Sequence, residues 1–342
     1  MQQPIINKSI AYKMFITKNK IYLFLALVLF ITSCNDKKCI ESPDVSDIQV
    51  DVTIERIDEE LFAAENQEDI LKFLRNNPLA ASNFYYRHEY PSDSLLAKKL
   101  LNLINNPYID TLYTQSKESF GDMSYLKEHF ETAFRHIRHY YPEFKVPTIK
   151  TAFTGLATDP GTGITADLYL SDSVILIGMD YFAGANASFR PRLPQYILER
   201  YEKEYIVPNI VLLISNRFNQ TASQDESMTA DMIHYGKSYY FTRQMLPCTH
   251  DSLIIGYTGE TLQDVERNQG VIWASFIQND MLYETSHIKK NKFLGERPNI
   301  PEIGEKCPGR IGVWLGWEIV RQYMDKNEDI TLQQLMRNSD TQ

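Results

Sequence analysis

Phe144-Lys145-Val146-Pro147-Thr148-Ile149-Lys150-Thr151-Ala152-Phe153-Thr154 marks the point where the chain stops reading as helix. β-branched and aromatic residues crowd this stretch, which suits a pleated, half-buried strand. Asp159-Pro160-Gly161-Thr162-Gly163 follows as a turn signal. Residues 164–170, ITADLYL, and 173–179, SVILIGM, read as two more strands joined through Ser171-Asp172. Upstream the pattern is helical. Residues 57–76 carry Ile57, Leu61, Phe62, Ile70 and Phe73 near helical spacing. Residues 93–105 and 122–140 read as two further helices, the second with Leu126, Phe130, Phe134 and Ile137 on one side. Downstream, helices are expected at 194–205, opened by Pro194, and at 208–217, opened by Pro208. Others follow at 226–244, 260–279 and 310–326, with a Pro- and Gly-rich loop at 290–309. Helices, a small sheet near residues 144–180, then helices again indicate an α+β fold that is predominantly helical.

The chain has 342 residues and a formal charge of -9. Lys8, Lys13, Lys18 and Lys20 lie before residue 21, and no acid accompanies them. Residues 21–33, IYLFLALVLFITS, are uncharged and apolar. As a helix this run spans about 20 Å, too short for a bilayer core of about 30 Å. It fits the apolar region of a signal peptide. The run ends in Ile31-Thr32-Ser33-Cys34, which resembles a bacterial lipobox. That resemblance implies cleavage before Cys34 and acylation of its thiol. Two or three acyl chains hold a protein firmly, whereas one binds marginally. Met14 offers a shorter basic region than Met1 does and is an expected alternative start. The expected layout is a signal peptide at 1–33, a lipidated tether at 34–49 and one globular domain at 50–342, whose part 50–142 is helical.

Losing the four lysines leaves the mature chain near -13. Such a chain repels nucleic acid and gains nothing from anionic headgroups. Attachment to a membrane therefore rests on Cys34. Asn35 after the anchor fits the outer membrane better than the inner. Of Cys39, Cys248 and Cys307, the expected bridge joins Cys248 to Cys307, with free buried thiols as the alternative.

Metal and nucleotide motifs fail residue by residue. His88-Glu89-Tyr90-Pro91-Ser92 begins like H-E-x-x-H, but the second histidine is missing and Pro91 breaks a helix. His136 and His139 share a helix face without a third ligand. Gly236-Lys237-Ser238 ends like a P-loop, yet Asp231 stands where the first glycine belongs and no strand precedes it. No G-x-S-x-G elbow is present. No catalytic residue, metal or cofactor is expected from these patterns.

Cys307-Pro308-Gly309-Arg310 leads into Ile311-Gly312-Val313-Trp314-Leu315-Gly316-Trp317-Glu318. Gly312 and Gly316 fall on one helix face and admit a close backbone. Trp314 and Trp317 read either as core or as the lining of a groove with Trp273. Glu318, among apolar neighbours, needs a partner, and Arg310 or Arg321 is placed to supply it.

Several strings in order carry a resemblance. They are Ile177-Gly178-Met179-Asp180-Tyr181-Phe182-Ala183-Gly184, then Asp231-Met232-Ile233-His234-Tyr235-Gly236-Lys237 with Tyr240-Phe241, and Gly256-Tyr257-Thr258. Ile272-Trp273 and Pro308-Gly309-Arg310-Ile311-Gly312 through Trp317 complete the series. In these the chain resembles the GldB family, the gliding-motility-associated lipoproteins of Bacteroidetes, over about residues 50–335. The resemblance implies an envelope lipoprotein linked to motility and its secretion machinery. A weaker likeness reaches zinc peptidases of the gluzincin type, with the metal ligands missing: the segment 194–205 holds no histidine, and Tyr235 precedes Gly236.

The expected function is therefore a non-catalytic lipoprotein that holds an envelope protein partner. The candidate groove is Lys237, Tyr240, Trp273, Trp314, Trp317 and Glu318. Two other readings stay open: a hydrolase using His234, Asp231 and Glu318, and a carbohydrate or peptidoglycan binder using the tryptophans. For the anchor, Cys34→Ser is expected to shift the chain from the membrane fraction to the soluble fraction on cell fractionation. A variant that stays membrane-bound would remove the acyl anchor from the account.

Overall fold

Pro147 has no N–H to give to a ladder, so sheet pairing begins one residue later, at Thr148. The computed structural model describes residues 39–221 and 224–339. The signal peptide, Cys34 and the start of the tether lie outside the described residues. The strands are β1 (Ile54–Arg56), β2 (Thr148–Ala152), β3 (Leu168–Leu170) and β4 (Val174–Gly178), ordered β1-β2-β4-β3 in one sheet. β1, β2 and β4 run parallel, and β3 pairs antiparallel with β4 through the Ser171–Val174 turn. β4 is buried along most of its length, as a strand covered on both faces must be. Three strands match the expected segments. β1 was not anticipated, because three residues show too little alternation to read.

Helices of eight residues or more are numbered α1 (Gln67–Asn76), α2 (Asp93–Ile104), α3 (Pro107–Phe120), α4 (Ser124–Tyr140) and α5 (Ile206–Ser215). Then come α6 (Met228–Met245), α7 (Gly259–Arg267), α8 (Gln269–Gln278), α9 (His287–Leu294) and α10 (Ile311–Lys326). The α+β, helix-dominated class is as expected, but several boundaries differ. The helix expected over 57–76 is two, Ile57–Phe62 and α1. Asn66 restarts it with a capping box, accepting from Glu68 N and Asp69 N while Asp69 accepts from Asn66 N. The 260–279 helix divides at Asn268 into α7 and α8. The 194–205 helix shrinks to Gln195–Leu198. α5 begins before Pro208, which sits in its first turn, where a missing N–H costs nothing. α9 occupies part of the expected 290–309 loop.

The N-terminal helices are tied to the sheet by Asp58, which is fully buried. Arg56 grips it with two bonds of 3.0 and 2.7 Å, Thr151 Oγ1 donates at 2.6 Å, and Tyr113 Oη donates at 3.1 Å. A buried carboxylate is tolerated when its lone pairs are met in this way.

Among the described residues, two large apolar cores and a small third cluster of Leu112, Tyr113 and Phe153 result. The first gathers the sheet, α1, α2, α4 and α5. The second gathers α7 to α10. α6 and α10 belong to both: Phe241, Met245 and Val320 face the first, and Met232, Tyr239, Trp314 and Trp317 the second. The two helices cross at glycines. A Cβ on Gly316 would lie 1.9 Å from Met232 O, and one on Gly236 would lie 2.2 Å from Gly316 O. Gly316 thus serves as anticipated, and its partner is the glycine of the false P-loop.

Cys39 and Cys248 are each disulfide-bonded, while Cys307 is free, so the expected Cys248–Cys307 bridge does not form. The backbone beside Cys248 is met instead by Ile40, whose N–H donates to Pro247 O at 2.9 Å. Cys307 packs against the second core, and burial pushes its thiol up to about 12.

The crossing predicts a sharp contrast. Gly316→Ala forces two backbones apart and is expected to cost about 3 kcal/mol or more, read by denaturant unfolding. Gly259→Ala, where an added Cβ meets nothing within 4 Å, is expected to be neutral or stabilising by up to about 1 kcal/mol. Equal effects would refute the crossing.

Candidate functional site

α6 is opened by Ser227, whose side chain accepts from Ala230 N. Asp231, His234 and Lys237 then follow at three-residue intervals along the helix and line one pocket. Gln220 and Asn338 close it, and its volume is about 230 Å³. Three residues named from sequence therefore meet, two of them from the hydrolase alternative.

Lys237 is only 3% exposed. Its Nζ donates to Gln220 O at 2.6 Å and to Asn338 O at 2.7 Å. Burial pushes its pKa down to about 8. Gln220 N in turn donates to Met336 O at 2.9 Å, so the lysine clamps the α5–α6 connection and the C-terminal segment onto α6. Among the described residues, His234 Nδ1 is buried with no hydrogen-bond partner. Burial, then the Lys237 charge, hold its pKa below the ordinary value, against a pull upward from Asp231. Asp231 is engaged elsewhere, with Lys290 Nζ on α9 at 2.6 Å. The pocket therefore holds a lysine whose pKa is pushed down to about 8 and an imidazole whose pKa is also lowered.

The remaining groove residues are placed apart from it. Trp314 and Trp317 are fully buried in the second core, which corrects the groove reading and also removes them as stacking platforms for a sugar. The cause is the glycine crossing, which seats α10 so closely on α6 that its rings are covered. Trp273 is half-buried against the same core, and Tyr240 is half-buried between the two. Glu318 accepts from Arg321 Nη1 at 2.9 Å, so Arg321 is the partner the sequence required. Arg321 continues to Asp251 at 2.5 Å, and Asp251 to Arg243 at 2.7 Å. Its guanidinium also lies over the Trp317 ring, 3.9 Å from the centroid. Burial raises the Glu318 carboxyl above its ordinary value, against the pull of Arg321. Arg310 bonds Glu296, Tyr239 and the Ile255 carbonyl. Glu318 is thus absent from the His234 pocket, and the three-residue hydrolase set is not assembled.

Sequence reasoning missed the acceptors of Lys237. Both are main-chain carbonyls, and no side-chain type announces them.

The fold and this pocket define a helix-dominated α+β protein with a polar site on its central helix. A family model described as gliding motility protein GldB matches residues 38–342, and the chain belongs to that family. No curated protein and no solved structure matches. The gluzincin-type likeness finds no support there, and the helix it required over 194–205 is a single turn.

Lys237 predicts a pH signature. Between about 8 and its unfolded value of 10.5, the unfolded chain binds the proton that the folded chain has released, so this group makes stability rise with pH. Lys237→Met takes the Nζ donor away from two carbonyls and is expected to cost about 2 kcal/mol at pH 7. The wild-type advantage is expected to widen between pH 8 and 10 in urea titrations. A gap independent of pH would contradict the lowered pKa.

Proposed function

We propose that this chain is an envelope lipoprotein, anchored through acylated Cys34, that positions a protein partner of a gliding-motility or associated secretion assembly without catalysis. The observation that carries the reading is the family match over residues 38–342. It agrees with the signal-like apolar run and the Ile31-Thr32-Ser33-Cys34 string. Outer-membrane placement is part of the proposal and rests on Asn35.

A binding role also draws support from α8. The helix has no charged residue, and Val271 and Ile277 are exposed on it, with exposed Tyr283 shortly after. Apolar side chains left at the surface in a group favour contact with another protein. Lys237 supports the fold of the C-terminal segment in this reading and does not contact the partner.

A second reading, an envelope hydrolase, is favoured by one observation: a lysine shifted to about 8 shares a pocket with the unpartnered His234 Nδ1. The two readings separate in a strain lacking the chain. Photo-reactive residues at Val271, Ile277 and Tyr283 are expected to cross-link one envelope protein, and His234→Ala is expected to restore motility or secretion fully. Loss of function in a folded His234→Ala chain, with no cross-link, would overturn the positioning role and favour the hydrolase.

A further inference from the structure

His88 and Glu89 failed as a peptidase motif because the second histidine is missing, and in the structure they lie in a 3-10 turn, Arg87–Glu89. The fold supplies a different third group. Asp159, some seventy positions later, comes from the turn between β2 and β3. His88 Nε2 lies 3.3 Å from Glu89 Oε1 and 3.3 Å from Asp159 Oδ2. The three ligand atoms all fall within 4.8 Å of one another.

Charge-assisted N–H···O bonds close to about 2.7–2.9 Å, as Lys290–Asp231 does at 2.6 Å and Arg243–Asp251 at 2.7 Å, while looser ion pairs such as Arg217–Asp172 stand at 3.3 Å. Atoms held about 2.0–2.1 Å from a tetrahedral ion lie about 3.3–3.4 Å from each other. Both His88 contacts have the second spacing. An imidazole, moreover, carries at most one N–H at Nε2, so it gives a full hydrogen bond to one of the two carboxylates only. Among the described residues, the ion pairs of Glu89 and Asp159 are with His88 alone. Two carboxylates thus face one imidazole.

The supporting atoms are set. Asp159 is 7% exposed, and its Oδ1 accepts from Gly161 N at 2.9 Å and Thr162 N at 2.7 Å. That leaves Oδ2 turned to His88. Tyr86, buried and two residues before His88, donates from its hydroxyl to Ile164 O at 2.8 Å and pins the two loops together. Partners beyond the ligands commonly orient metal sites in this way.

We propose that His88, Glu89 and Asp159 bind a divalent transition cation of the zinc class. One imidazole nitrogen and two carboxylates suit such an ion better than magnesium or calcium, which prefer oxygen alone. The side chain of His88 is 59% exposed, so the fourth position opens to solvent and takes a water or a partner's side chain. This departs from the metal-free expectation of the sequence, and it stands apart from the partner-positioning role.

The test uses the full chain in detergent, stripped of metal and carrying Cys307→Ser to remove thiol ligation. Cobalt(II) is titrated, with uptake measured by equilibrium dialysis and geometry by visible absorption. One ion per chain with the strong absorption of a tetrahedral site, displaced by zinc, is expected. His88→Ala removes an exposed ligand. Asp159→Asn keeps the oxygen that the two turn amides need, so both variants are expected to fold, as circular dichroism checks. Each is expected to weaken binding about tenfold or more. No uptake by the folded chain, or unchanged affinity in both variants, overturns the site.

Discussion

α6 and α10 approach until the backbone of one touches the other, because Gly236 and Gly316 offer no Cβ at the crossing. Ordinary helix pairs stand 8–10 Å apart, kept there by the side chains between them. Here that spacer is removed at the centre and restored at both ends. Phe241, Met245 and Val320 fill one side, and Met232, Trp314 and Trp317 the other. The pair is thus the wall shared by both cores. Packing at crystal-like density leaves such a contact little room to slide, so the rotation of α6 about its axis is set by it. That rotation is what carries Asp231, His234 and Lys237 to one pocket.

Buried polar groups complete the arrangement, and each is answered differently. Asp58 is met by an arginine, a threonine and a tyrosine. Asp180, equally deep, has no cation among the described residues: Thr154 N, Thr154 Oγ1 and Leu156 N donate to it at 3.1, 2.8 and 2.5 Å. Burial raises its pKa, while those three donors pull the other way. Lys237 is the inverse case, a cation answered by carbonyls. Burying a charge costs several kcal/mol unless its bonds are satisfied. The three groups all join segments remote in sequence, so the cost is offset where the chain most needs fastening.

The exposed surface has another character. α8 is uncharged and keeps Val271 and Ile277 in solvent, while the tryptophans that looked like a binding feature are internal. His88 and Glu89, which reach solvent, lie beside the β2–β3 turn.

Local pattern determined much of this protein. The period of apolar residues announced α4, and the β-branched runs announced β2 and β4. Glu318's need for a cation was legible because charge among apolar neighbours has few solutions. What the sequence could not decide were the contacts between segments far apart in the chain. Trp314 and Trp317 have the same hydrophobicity in a core as in a groove, and only the helix covering them settles which. Lys237 bonds to carbonyls, which every residue carries. Cys248 has no bond to Cys307, and Asp159 meets His88, because folding brings together residues by the path of the backbone. Propensity and periodicity act over a few residues; proximity across seventy is a property of the packed chain alone.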